Sequence, residues 1–220
     1  MKRKKITFAI GKYLKDKKMD IRILNLEADN YYHIYNRGIN SGKVFRTDEN
    51  YNYFLKQLSK YILNIADVYA YCLMPNHFHI LLKIKTREEI EEFLENSKPA
   101  NSAISEGLHS IKNIASKQIS KFISSYTQSY NKIQNRHGGL FESPFKRIKI
   151  DSEEYLRNLI IYIHQNPKDL EIDFREYKHS SYKSILSKAK TNLMRNEIIT
   201  LFDSEENFIA SHDKVRDFNF

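Results

Sequence analysis

Cysteine is nearly absent: Cys72 is the single one among 220 residues. One thiol excludes an intramolecular disulfide and a multi-cysteine zinc site, and it agrees with a reducing compartment. Long apolar runs are also missing, since stretches such as Ile80 to Leu82 and Ile160 to Ile163 fall far below the ~20 residues that cross a bilayer. The N-terminal MKRKK cluster leads only into Ile6 to Ile10 before Lys12 interrupts, which is too short for the core of a signal peptide. A cytoplasmic protein without membrane partners is therefore expected. Repeats and low-complexity segments are lacking, and acidic residues are the minority charge.

What is present points to a folded, basic protein. Lys and Arg number 36 against 27 Asp and Glu, a net charge of +9. Hydrophobic residues make up 41%, enough for a core and too much for an intrinsically disordered chain. The excess positive charge with 15 Tyr and 13 Phe suits a surface that meets phosphate backbones and stacks bases. The length fits one domain with appendages: a basic extension over 1–28, a main domain over 29–186 and a C-terminal extension over 187–220.

Periodicity orders the elements. Tyr32 to Arg37 reads as a strand stopped at Gly38. Thr47-Asp48-Glu49 supplies capping chemistry for a helix carrying Tyr53, Phe54, Leu58, Tyr61 and Ile62. Val68 to Leu73 and His77 to Ile84 read as strands joined by the Pro75-Asn76 turn, an antiparallel hairpin with its tip beside His77. Residues 86 to about 100 form a short acidic helix or flap, and a long helix spans Ile111 to Ile133. Phe145 to Ile150 is a strand with Phe145, Arg147 and Lys149 on one face. A last helix starts at Asp151 or Ser152, with Glu154 placed for a capping box, and ends by Pro167. The order βαββαβ plus a helix predicts an α+β fold: a ferredoxin-like antiparallel sheet with helices on one face, plus a C-terminal helix.

In Met74-Pro75-Asn76-His77-Phe78-His79-Ile80, alternation puts His77 and His79 on one face while Phe78 turns inward with Ile80 and Leu82. Two imidazoles roughly 6 to 7 Å apart at Cα can share a divalent ion, and can equally be two hydrogen-bonded histidines. On the last helix Leu156, Leu159, Ile160 and Ile163 form the core stripe, and Tyr162 and Asn166 lie about 40° apart at its edge. If that edge faces the histidines, Asn166 completes an N,N,O set and the Tyr162 hydroxyl points at whatever the metal holds; otherwise Tyr162 is a rim tyrosine.

YYHIYNRG at Tyr31 to Gly38, YAYCLMPNHFHILLK at Tyr69 to Lys83, SYTQSYNK at Ser125 to Lys132, HGGLFESPFK at His137 to Lys146, EYLRNLIIYIHQNP at Glu154 to Pro167 and SSYKS at Ser180 to Ser184 occur in one order. Together they resemble the single-tyrosine HUH transposases of the IS200-like, REP-associated branch, over about Tyr31 to Leu186. One departure is Ser143-Pro144, where that branch commonly carries Gly-Arg. The resemblance implies His77, His79 and Asn166 as metal ligands, Tyr162 as nucleophile, and Asn36, Arg37 and Gly38 as a strand end near the site, with Asn36 and Arg37 as DNA contacts. Lys146, Arg147 and Lys149, with Lys112, Lys117 and Lys121 on the long helix, are the basic residues available to track DNA.

The expected chemistry is nicking and rejoining of single-stranded or hairpin DNA through a 5′-phosphotyrosine, with Mg²⁺ or Mn²⁺ as cofactor. His164 is a candidate to assist proton transfer, and as a helix-end residue it can instead cap or pack. A monomer or a homodimer fits equally. Three alternatives stay open: an inactive or domesticated DNA-binding protein of this fold, a phosphodiesterase using water, and a relaxase or replication initiator of the HUH class, to which Tyr155 would supply a second tyrosine.

Overall fold

In the computed structural model, residues 24–96 and 111–213 are described. The expected basic extension lies outside them up to residue 23, as does the end of the acidic flap beyond residue 96. Four strands, β1 (Tyr31–Arg37), β2 (Ala66–Met74), β3 (His77–Ile84) and β4 (Lys146–Ile150), form one antiparallel sheet in the order β2-β3-β1-β4. β1 and β2 both run antiparallel to β3 between them, so they are mutually parallel and need a crossover. Helix α1 (Asp48–Ile62) makes it, as in the ferredoxin-like arrangement. Helix α3 (Ile111–Ile133) makes the equivalent link from β3 to β4, after the short acidic α2 (Arg87–Asn96).

Local sequence explains these elements. Thr47 and Asn50 form a reciprocal capping box at the start of α1, whose Tyr51, Phe54, Leu58 and Ile62 share the buried face. On α3, Ala115, Ile119, Phe122, Tyr126 and Tyr130 face inward. Phe54 joins the layers, with ring centroids 5.1 Å from Phe78, 4.7 Å from Phe122 and 5.1 Å from Tyr126. Burying each such ring contributes about 1.5–3 kcal/mol.

The opposite sheet face is also covered. Helix α4 (Glu153–Gln165) starts at Ser152, whose hydroxyl accepts from the Tyr155 N–H at 3.2 Å; a serine cap stands where a capping box with Glu154 was expected. Leu156, Leu159, Ile160 and Ile163 are buried against Ala70, Cys72, Met74 and Leu81. Residues beyond 186 extend this layer. The Met194 N–H donates to the Val68 carbonyl at 3.0 Å, and Ile198 of α6 (Arg195–Leu201) and Phe208 of α7 (Glu205–Asp213) are fully buried, while α5 (Tyr182–Leu186) contributes Tyr182 and Ile185. Helices on one sheet face thus give way to helices on both, α1 to α3 on one side and α4 to α7 on the other. Among the described residues no helix is long and apolar enough to cross a membrane.

Candidate functional site

β1 and β3 lie side by side with Tyr35 opposite His79 and Arg37 opposite His77. The period of two therefore brings His33, Tyr35, Arg37, His77 and His79 onto one face. α4 crosses this face with Tyr162 and Asn166 along one edge. The hairpin tip is held from outside: the Pro75 carbonyl accepts from Val44 N–H at 2.8 Å and Phe45 N–H at 3.0 Å, and the Asn76 carbonyl from Gly38 N–H at 2.8 Å. Gly38 lets the chain fold back closely on itself, because a Cβ there would sit 2.2 Å from the Gly42 carbonyl oxygen.

Four residues expected to act together are neighbours. The rings of His77 and His79 are 5.1 Å apart at 89°, and the Tyr162 ring stands edge-on to His79 at 5.5 Å and 86°. Asn166 caps α4, and its Nδ2 donates to the Tyr162 carbonyl at 2.9 Å. The amide also interacts with both the His77 imidazole and the Tyr162 phenol.

Burial sets the protonation states. It pushes His77 down to about 4, an effect opposed by Asn166 and reinforced by Arg37, and pushes His79 well below the ordinary imidazole range, with His33 and His77 adding to it. Both rings are neutral at pH 7. Burial raises Tyr162 above the ordinary phenol range, helped by the Asp169 carboxylate and Tyr35. The phenol therefore rests protonated at pH 7.

The donor chemistry fits a divalent ion. His77 Nδ1 lies 2.7 Å from Asn76 Oδ1; an amide oxygen can only accept, so Nδ1 carries the hydrogen and Nε2 keeps its lone pair. His79 Nδ1 lies 2.8 Å from His33 Nε2. Two imidazoles and one carboxamide oxygen make a sparse set with room for phosphate and water oxygens. Among the described residues no three His, Cys, Asp or Glu side chains gather to hold an ion.

Other expected contacts fall elsewhere. Asn36 points to the opposite sheet face, buried, donating to the Glu142 carbonyl at 2.9 Å and accepting from its neighbour's N–H at 2.8 Å, so it braces the strand and is not offered to DNA. Arg147 is likewise buried, donating to Ser116 Oγ at 2.8 Å and the Leu24 carbonyl at 3.2 Å, because the expected basic face of β4 is covered by α3 and the segment before β1. Lys149, on that same face, pairs with Glu27 at 2.6 Å. Lys117 and Lys121 belong to α3, across the sheet from the imidazoles, and the side chain of Lys112 lies outside the described residues. Lys146 does reach the site's rim, its ammonium 5.8 Å from the Tyr35 ring centre and 3.0 Å from Glu142. Arg37 is exposed beside His77 and donates to Ser41 Oγ. His164 does not serve Tyr162: it is fully buried, its Nδ1 2.8 Å from His212 Nε2 and its Nε2 2.7 Å from Ser181 Oγ. His33 escaped the sequence reading, although alternation along Tyr31 to Arg37 places it on the face of Tyr35 and Arg37.

Comparison with known proteins adds to this picture. Residues 26–105 match the family model described as transposase, IS200 like. Among solved structures the chain is similar to a REP-associated tyrosine transposase bound to a REP hairpin, with a TM-score of 0.52 and 11% identity over 77% of this chain and 87% of that one. At that identity the likeness is one of fold. A bacterial tRNA(His) guanylyltransferase (Thg1)-like protein is also similar, at a TM-score of 0.39 in both its GTP complex (14% identity, 71% of each chain) and its ATP complex (16% identity, 90% of this chain and 77% of that one), too slight to carry an argument. No curated protein matches in sequence.

Proposed function

We propose, from the match of residues 26–105 to the IS200-like transposase family model, that this chain nicks and rejoins single-stranded or hairpin DNA with Tyr162 as the nucleophile. The observation that carries the reading is the edge-on approach of the Tyr162 ring to His79, with Asn166 touching on both the phenol and the second histidine. A tyrosine beside two neutral imidazoles and a carboxamide is arranged for phosphoryl transfer to the phenol oxygen.

A divalent cation, Mg²⁺ or Mn²⁺, bound by His77, His79 and Asn166 would neutralise and orient the scissile phosphate. Tyr162 Oη then bonds to phosphorus as the bond to the 3′ oxygen breaks. The phenol proton leaves, a proton is taken up by the departing 3′ oxygen, and the 5′ phosphate stays on the protein. Because an ester replaces an ester, a 3′ hydroxyl can reverse the step without a nucleotide cofactor. Arg37 and Lys146, at the rim, supply positive charge to the DNA backbone. The hairpin held by the similar structure makes hairpin DNA the first substrate to try.

The test is cleavage of a labelled hairpin oligonucleotide in Mn²⁺. The wild-type chain is expected to release a 3′-hydroxyl fragment, whereas Tyr162→Phe gives none. Cleavage that survives Tyr162→Phe would favour attack by water and overturn the assignment.

A further inference from the structure

Of the histidines on the site face, His33 is the one that no part of the proposed chemistry uses. It is buried, 1% exposed, and stands diagonally across from His79 in the β1–β3 ladder. Its Nε2 lies 2.8 Å from His79 Nδ1. The two rings are within 24° of a common plane with centroids 5.0 Å apart, an edge-to-edge bond through the ring nitrogens. Tyr162 borders both rings, at 6.3 Å from His33 and 5.5 Å from His79.

A bond between two neutral imidazoles holds one hydrogen, and its position matters. On His79 Nδ1, it leaves His79 Nε2 with a lone pair free to bind a cation. On His33 Nε2, it makes His79 Nδ1 the acceptor and forces the hydrogen of His79 onto Nε2, which then cannot ligate. His77 has no such choice, because its partner is an amide oxygen. We infer that His33 is a positioning residue: it accepts the Nδ1–H of His79, fixing the ring's tautomer and orientation so that Nε2 is presented as a metal donor. A carbonyl or carboxylate commonly holds the second nitrogen of a metal-binding histidine; here an imidazole does so. The inference rests on the metal site proposed above and adds to it a residue that need not touch the metal, the DNA or the reacting atoms.

The test uses the full chain, stripped of metal, and Mn²⁺ alone as the probe. Calorimetric titration is expected to show His33→Leu binding Mn²⁺ about 10–100-fold more weakly than wild type. His33→Gln, whose amide oxygen can accept where Nε2 did, is expected to recover binding to within a few-fold. Long-range ¹H–¹⁵N spectra of metal-free wild-type protein are expected to show His79 protonated at Nδ1, a readout that needs no variant to fold. Undiminished Mn²⁺ affinity in a folded His33→Leu, no recovery in a folded His33→Gln, or a hydrogen found on His79 Nε2 overturns this inference alone. Wild-type protein that takes up no Mn²⁺ overturns the metal site itself.

Discussion

The two faces of the sheet are built on opposite terms. The α1–α3 face is closed by aromatic packing: Phe45, Phe54, Phe78, Phe122, Tyr126 and Phe141 are all buried there. The α4 face has an aliphatic floor of similar quality from Leu156 to Ile163, yet it also holds imidazoles, buried at His33 and His79 and half-buried at His77, that desolvation keeps uncharged. Keeping a neutral, lone-pair-bearing histidine out of water is unfavourable unless each nitrogen is partnered. The fold accepts that cost at one end of one face, where α4 brings a phenol and an amide to the same place. Strand alternation is what permits the separation, because neighbouring residues Phe78 and His79 serve different faces.

Substitutions should separate the faces. Tyr162→Phe is expected to lower strand cleavage on the order of 10³-fold or more while leaving the melting temperature near that of wild type, measured by gel assay and calorimetry on one preparation. Phe54→Ala, on the opposite face, should do the reverse. It is expected to cost about 3–5 kcal/mol, a drop of roughly 6–20 °C in Tm, while Mn²⁺ uptake by the folded protein at low temperature stays within a few-fold of wild type. A Phe54→Ala protein that folds but binds no Mn²⁺ would show the faces to be coupled.

Periodicity explains why part of this could be read in advance. The i, i+2 spacing of His77 and His79 and the i, i+4 spacing of Tyr162 and Asn166 are properties of single elements, so their faces follow from the chain alone. Their meeting depends on the sheet order, which the βαββαβ pattern implies, and on α4 returning over the second face of the sheet, which that pattern leaves open. The burial of Asn36 and Arg147 could not be read in sequence, because it depends on distant partners: the Glu142 carbonyl for Asn36, and Ser116 of α3 and the Leu24 carbonyl for Arg147. His33 was missed because its partner is 46 residues away and one strand over, a matter of register. Beyond Ser187 the helices are short, and Ile198 and Phe208 gain their place from a surface the earlier chain builds.

Smaller effects sharpen the contrast within the site face. Asn166→Ala removes the proposed oxygen donor and should weaken Mn²⁺ binding about 10–100-fold, whereas Asn166→Asp, which keeps an oxygen there and adds charge, should bind at least as tightly as wild type. Arg37→Ala should lower hairpin affinity only a few-fold, with the slope of log K against log salt reduced by about one, since an exposed cation contributes mainly by releasing counterions. Arg147→Ala, by contrast, should leave that slope unchanged and reduce thermal stability, because its guanidinium bonds to Ser116 and the Leu24 carbonyl within the fold.

The most direct measurement is identification of the residue that holds DNA. After reaction with a hairpin oligonucleotide in Mn²⁺, denaturation and digestion, mass spectrometry should find a nucleotide esterified through its 5′ phosphate on Tyr162. An adduct on Tyr155 or any other side chain, or cleaved DNA with no adduct, would contradict the account.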